Sequence, residues 1–127
     1  MNSINVVIVN PKFIAAFMGT PLICCWLVAE ALAVGVGSST DVALMFGGAL
    51  TLIIGEFLET LVCHIPRNDA LAAHKGGNDA EVWARYYTSW TAWNHVRMVA
   101  SLATVVQFSL ALFYRGTRLG AGYGGLP

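Results

Sequence analysis

The sequence predicts an all-α integral membrane protein with three membrane-spanning helices. Hydrophobic residues make up 57% of the chain and charged residues 11%, whereas soluble domains contain roughly 25% charged residues. Three apolar runs are each long enough to cross a bilayer core, which takes roughly 20 residues. With 127 residues, the chain has room for one such domain.

Charge and cysteine content exclude several classes of protein. Seven Lys and Arg residues balance seven Asp and Glu residues, so no basic excess is present to hold nucleic acid. Cys24, Cys25 and Cys63 all lie in apolar runs, which argues against a disulfide framework or a zinc knuckle. The first 20 residues lack the pattern of a removable signal peptide.

The first span is predicted over residues 13–36. Pro11 suits the first turn of a helix, and Pro21, inside the run, predicts a kink. A short polar turn of glycine, serine and threonine follows. Asp41 is then predicted to be the N-cap of the next helix.

The second span is predicted over residues 42–63. Small or polar residues recur there at every fourth position and share one face of a helix, which lets a neighbouring helix approach closely; they are Gly47, Thr51, Gly55 and Glu59. We expect this face to contact protein and not lipid. Pro66 is predicted to end the helix.

A polar loop and an interfacial amphipathic helix are predicted over residues 65–92. Asn68 and Asp69 are placed to cap a short helix that ends at Ala73, and residues 74–79 indicate a water-exposed break. One long helix then begins at residue 81 along the interface and enters the membrane as the third span, residues 93–114. Residues 1–114 form the single membrane domain, and residues 115–127 are a glycine-rich tail, typically flexible.

The long helix carries a polar and aromatic stripe on one face. At about 100° per residue, seven side chains share a face that we expect to look inward: Trp83, Tyr87, Trp90, Asn94, Arg97, Ser101 and Thr104. His95 lies about 100° from Asn94 and faces a different neighbour. In the three-span arrangement, four basic residues lie on the side of the membrane that carries the loop of residues 65–92: Lys12, Arg67, Lys75 and Arg85. The other side carries two, Arg115 and Arg118. The positive-inside rule therefore places this loop in the cytoplasm.

Two segments carry a resemblance to a known family. Ile-Pro-Arg-Asn-Asp-Ala-Leu-Ala at residues 65–72 and Trp-Thr-Ala-Trp-Asn-His-Val-Arg at residues 90–97 resemble the anthrone oxygenase family of small four-helix membrane proteins, which has many uncharacterised bacterial members. The resemblance covers about residues 1–114 and implies a bacterial cytoplasmic (inner) membrane protein. It also implies that the family's first helix, expected before Met1, is missing. Truncation, a helix from a partner chain, or loss of the family's chemistry would each account for that.

The resemblance implies an oxygenase that needs no metal, flavin or other cofactor. Such an enzyme oxidises an activated carbon of a flat phenolic or quinol-like substrate with dioxygen. This chemistry requires a base, donors for a developing phenolate, and aromatic walls. By resemblance, the catalytic residues are His95 as base, Asp69 as its orienting group and Arg97 as a donor, and the substrate-binding residues are Asn68, Asn94 and Trp90.

Other interpretations of the same residues stay open. Asn68 and Asp69 fit a helix cap, the tryptophans fit headgroup anchors, and Arg97 fits a snorkelling residue or a partner of Glu59. The alternative function is a non-catalytic accessory subunit of a larger membrane complex, in a hetero-complex or a homo-oligomer.

Carboxylates within the apolar spans open two further possibilities. A metal site at Glu56 and Glu59, with Cys63 or His64, is less favoured than an ion pair or a protonated carboxyl, because the spacing matches no established helical metal motif. The buried glutamates, Glu30 among them, also leave a proton-linked carrier open.

Overall fold

A computed structural model describes residues 10–123, apart from the side chain of Tyr123. The described residues form four α-helices, with two π-helical segments between the second and third: α1 (Pro11–Val34), α2 (Thr40–Leu52), the π-helical segments Ile53–Leu58 and Thr60–His64, α3 (Ile65–Ala73) and α4 (Asp79–Tyr123). No strand occurs in this part of the chain. The predicted all-α class is confirmed.

Three continuous helical stretches are long and apolar enough to cross a membrane: Pro11–Val34, Thr40–Ala73 and Asp79–Gly122. The second, called the middle helix below, comprises α2, both π-helical segments and α3. Large apolar side chains such as Leu22, Val62 and Leu112 are exposed on these helices, as expected of surfaces that face lipid. The prediction of three spans is confirmed.

The first helix begins as its sequence predicts. The side chain of Asn10 accepts a hydrogen bond from the backbone N–H of Lys12 at 2.9 Å, and Pro11 occupies the first turn. The helix ends at Gly35, whose φ of 94° is a conformation that glycine adopts without steric cost.

The N-cap of the middle helix lies two residues before the predicted one. Its N-cap is Ser39, and Asp41 lies inside the first turn, so the assignment of Asp41 as N-cap is wrong. The carboxylate of Asp41 instead accepts a hydrogen bond from Nη2 of Arg118 at 2.9 Å, while Nη1 of Arg118 donates to the Ser39 hydroxyl at 2.9 Å. A contact with a distant helix therefore determines the position of this carboxylate.

The middle helix also continues through Pro66, where it was predicted to end. The hydrogen-bond register is π-helical from Ile53 to His64, with a short interruption at Glu59. The wider turns of this register accommodate Pro66, because proline has no N–H and would collide with the preceding turn of a regular α-helix. The predicted cap at Asn68 and Asp69 is wrong for the same reason, because both residues lie within α3.

The stripe of small residues on the middle helix faces α4. A Cβ atom added at Gly55 would lie 2.5 Å from the Cβ of Ala100, and one added at Gly47 would lie 3.2 Å from Nε2 of Gln107. Only hydrogen atoms at these positions let the two helix backbones come so close. The prediction that this face contacts protein is confirmed.

The long helix faces inward over a shorter length than its stripe predicts. Trp83 and Tyr87 are exposed and Tyr86 is buried, whereas the stripe is at least half-buried from Trp90 onward. The helix also continues past Arg115 as far as Tyr123. Within this extension, Arg118 makes its hydrogen bonds to Ser39 and Asp41. Residues 124–127 of the predicted tail lie outside the described residues.

Candidate functional site

A cavity of about 470 Å³ lies between all three spans, at the end of the bundle where α1 begins. Its apolar wall comes from the start of α1, through Phe13, Ile14 and Phe17. Its polar wall comes from the middle helix and α4, through six side chains: Thr60, His64, Asn68, Asp69, Trp90 and Arg97. The cavity therefore combines aromatic surfaces with ionisable groups at one level of the bundle.

Glu59 and His64 form a buried pair beside this cavity. Oε1 of Glu59 lies 3.2 Å from Nε2 of His64, and their side chains are only 5% and 4% exposed. The angles at the two atoms do not satisfy a hydrogen bond, and neither ring nitrogen of His64 has a hydrogen-bond partner in the described part of the chain. Since buried polar atoms are nearly always partnered, this imidazole has capacity to bind something further.

Arg97 lines the cavity without a carboxylate beside it. Its Nη2 donates to Oδ1 of Asn94 at 2.7 Å, and no acidic side chain among residues 10–123 lies within 4 Å of its nitrogens. The amide orients the guanidinium but leaves its charge uncompensated. A group that develops negative charge in the cavity would supply the missing counter-ion.

The remaining cavity residues are held by contacts between helices. Oδ1 of Asn68 accepts a hydrogen bond from the hydroxyl of Tyr86 at 2.6 Å, which fixes the amide's orientation. The ring of Trp90 lies 5.6 Å from that of His64, centroid to centroid, at an interplanar angle of 57°. These two rings form an aromatic corner beside the buried pair.

Four of the six site residues proposed from the sequence line the cavity: Asn68, Asp69, Trp90 and Arg97. Asn94 lies one step behind them, through its contact with Arg97. His95 is not among the lining residues. Its ring is exposed, and its Nδ1 donates to the carbonyl of Thr91 on the same helix at 2.7 Å.

Sequence reasoning weighed His64 and Glu59 as possible metal ligands or ion-pair partners but assigned neither a catalytic or substrate-binding role. In a regular α-helix, residues five apart are rotated by about 140°, so the two side chains would point in different directions. The π-helical register brings them together, and this register leaves no reliable signal in the sequence. Such π-helical turns occur frequently at functional sites, and their presence here draws attention to the pair.

The acidic, histidine and cysteine side chains do not form a metal site in the part of the chain that the structure describes. No group of three such residues is close enough together to hold an ion. The possible set of Glu56, Glu59, Cys63 and His64 supplies one close pair, Glu59 with His64.

Comparison with known proteins gives one match. The family model described as anthrone oxygenase matches residues 12–107, a range that contains every residue of the cavity. No curated protein and no solved structure matches.

Proposed function

The chain belongs to the anthrone oxygenase family, and we propose that it oxidises a flat phenolic or quinol-like substrate with dioxygen inside the membrane. The cavity between the three spans is the observation that carries this proposal. Its volume of about 470 Å³ is within the range of roughly 300–1,000 Å³ that small-molecule sites occupy. Family membership supports the reaction class, and the cavity supports the size and shape of the substrate.

His64 is the general base in this proposal. Its side chain lines the cavity, and both of its ring nitrogens are buried without a hydrogen-bond partner in the described part of the chain. The carboxyl group of Glu59, 3.2 Å away, would stabilise the positive charge that the imidazole acquires when it takes a proton. His95 stays a prediction from the sequence, and it is the weaker candidate because its ring is exposed and does not line the cavity.

Arg97 and Asn68 are the proposed donors to the substrate oxygen. Removing a proton from the carbon between the two rings of an anthrone places negative charge on the distant carbonyl oxygen, which then has phenolate character. Arg97 has no carboxylate within 4 Å among residues 10–123, and its attraction to that oxygen increases as charge develops. Trp90, Phe13 and Phe17 would hold the flat rings.

The reaction balances with dioxygen as the only oxidant. His64 removes a proton from the methylene carbon, and the carbanion gives its electrons to dioxygen, forming a carbon–oxygen bond and a peroxide that is protonated. Loss of the second carbon-bound proton then breaks the oxygen–oxygen bond and releases water. One anthrone and one dioxygen yield one quinone and one water, so the reaction needs no external reductant.

The direct test measures the stoichiometry of the reaction catalysed by the purified chain in lipid nanodiscs. With anthrone as substrate, oxygen uptake and quinone formation should match one to one, at a rate well above that of heat-denatured protein. The preparation should contain no flavin and no stoichiometric metal. A rate equal to the denatured control would remove the proposal of catalysis by this chain alone.

An accessory subunit is the second candidate, and Glu30 is the observation that favours it. This glutamate is exposed on α1, where it accepts a hydrogen bond from Nε1 of Trp26 at 3.2 Å. An ionisable group on an outward face of a span generally contacts protein or water in preference to lipid. Stoichiometric co-purification of another membrane chain, lost in Glu30→Leu, together with no oxidation by the chain alone, would favour this function.

A further inference from the structure

A second cavity, also of about 470 Å³, lies between α3 and the first turns of α4. It is separate from the cavity that His64 lines. Arg67 and Tyr86 lie in its wall and also contact residues beside the first cavity, since Arg67 donates to the carbonyl of Cys63 and Tyr86 donates to Asn68. Its walls are apolar at Ala70, Leu71 and Val82, basic at Arg67 and Arg85, and acidic at Glu81. The proposed oxidation uses none of these side chains as catalytic groups.

Arg67 is half-buried here and lacks a negatively charged partner among residues 10–123. Its Nε donates to the hydroxyl of Ser89 at 2.8 Å, and its Nη1 donates to the carbonyl of Cys63 at 2.6 Å. Its guanidinium carbon lies 5.7 Å from the centre of the Trp93 ring, close enough for a cation–π contact. No carboxylate lies within 4 Å in the described residues, so neutral groups hold this cation and leave its charge uncompensated.

Arg85 adds a second positive charge that is free to move. Its Nη2 lies 3.6 Å from Oε1 of Glu81, but the arginine side chain is 84% exposed, and such surface pairs contribute little. The other oxygen of Glu81 is bound to the amide of Asn78 at 2.5 Å, which draws the carboxylate towards the loop. Arg85 can therefore turn towards an anion beside Arg67.

The position of the cavity indicates where that anion comes from. The loop of residues 74–78 lies at this end of the bundle and carries a lysine and a histidine, while Trp90 and Trp93 follow on α4. Aromatic side chains of this kind concentrate at the level of lipid headgroups. A phosphate that lies between arginines, over an apolar wall that continues into exposed apolar helix surface, has the chemistry of a phospholipid and not of a solute from water.

We propose that the cavity between α3 and α4 binds the phosphate headgroup of an anionic phospholipid, with Arg67 as the main contact and Arg85 as the second. Arginine binds phosphate through paired N–H donors, and Nη2 of Arg67 makes no hydrogen bond within residues 10–123. The bound headgroup would brace α3 against α4. Because Asn68 on α3 receives its hydrogen bond from Tyr86 on α4, the same brace would steady the neighbouring cavity.

The test uses the full chain, delipidated in neutral detergent, with dioleoylphosphatidylglycerol as the probe and dioleoylphosphatidylcholine as the comparator. Native mass spectrometry counts the bound lipid, and thermal unfolding reports its effect. We expect phosphatidylglycerol to be retained at least about tenfold more than phosphatidylcholine, a ratio within reach of one charge-assisted contact. Arg67→Gln should abolish this preference and Arg85→Gln should reduce it, whereas Arg115→Gln, at the opposite end of the bundle, should leave it unchanged.

Each further outcome decides the proposal. An unchanged preference in folded Arg67→Gln would overturn it, as would an equal loss in Arg115→Gln. Should Arg67→Gln not fold, Arg85→Gln and Ala70→Leu, which fills the cavity, decide in its place. Saturable binding of inorganic phosphate that depends on Arg67, without any preference for the anionic lipid, would overturn the lipid as the source of the phosphate.

Discussion

Glu59 and His64 face each other at 3.2 Å from Oε1 to Nε2, inside a membrane span and almost fully enclosed. Two ionisable groups in such surroundings are costly unless they compensate each other or serve a function. The contact depends on a π-helical register, which adds to the cost of maintaining it. In the proposed reaction the pair acts as a base with its charge-stabilising partner, beside a cavity lined by aromatic side chains and an arginine.

The first prediction concerns Glu59. Glu59→Gln keeps the shape of the side chain but removes the negative charge that would stabilise a protonated His64. We expect kcat for anthrone oxidation to fall by about 10- to 100-fold with KM nearly unchanged, because the carboxyl group does not line the cavity. Glu56→Gln, three residues earlier on the same helix and half-buried, is the matched control and should retain its activity. Equal kcat values for wild type and Glu59→Gln would contradict the role of the pair.

The second prediction concerns Arg97. Arg97→Gln removes the charge that would compensate a developing phenolate, so kcat should fall by about 10²- to 10³-fold, as for other donors of this kind. Asn94→Ala should have a smaller effect, because it only releases the guanidinium from its orienting contact. Steady-state oxygen uptake checks both variants. An Asn94→Ala variant less active than Arg97→Gln would contradict the assignment of the charge to Arg97.

The sequence was sufficient to predict the membrane architecture and part of the site. Apolar runs of bilayer length determine where the spans lie, and the spacing of Gly47, Thr51 and Gly55 determines which face meets α4. Residues seven apart on a regular helix share a face, so Trp90 and Arg97 were expected to look inward together, while their site roles came from the resemblance to the family.

The errors have two physical origins, a contact between distant segments and a local change of helical register. Arg118 holds Asp41 from the far end of the chain, and that contact displaces the expected cap. The π-helical register around Glu59 changes which side chains of the middle helix lie together, so a calculation at 100° per residue separates Glu59 from His64. Helix propensity and hydrophobic periodicity are local properties of the sequence, and neither predicts a long-range contact or a π-helical register.

The third prediction tests the close approach of the middle helix and α4. A Cβ at Gly55 would lie 2.5 Å from the Cβ of Ala100, and neither atom can rotate away, so the helices must separate. We expect Gly55→Ala to destabilise the protein by about 1–3 kcal/mol. Gly19→Ala is the control, since nothing lies within 4 Å of its added Cβ. Thermal unfolding in detergent should show a lower midpoint for Gly55→Ala alone, and equal midpoints for both variants would contradict the packing.

The fourth prediction concerns the far end of the bundle. Arg118→Ala removes both hydrogen bonds that hold α4 to the start of α2 and leaves the buried carboxylate of Asp41 without its partner. Because the arginine side chain is half exposed, we expect a loss of only about 1 kcal/mol. Backbone amides of residues 115–122 should exchange faster with deuterium. Arg115→Ala should leave that exchange unchanged, and equally fast exchange in both variants would count against the contact.

The most direct measurement of the central claim compares the three histidines of the chain. Anthrone-dependent oxygen uptake is recorded in nanodiscs for His64→Ala, His95→Ala and His74→Ala, each shown to be folded by its thermal midpoint. The account predicts a loss of about 10²-fold or more in His64→Ala and near wild-type rates in the other two, because the rings of His95 and His74 do not line the cavity. Wild-type activity in His64→Ala, with the loss in His95→Ala, would contradict it and assign the base to the exposed histidine of α4.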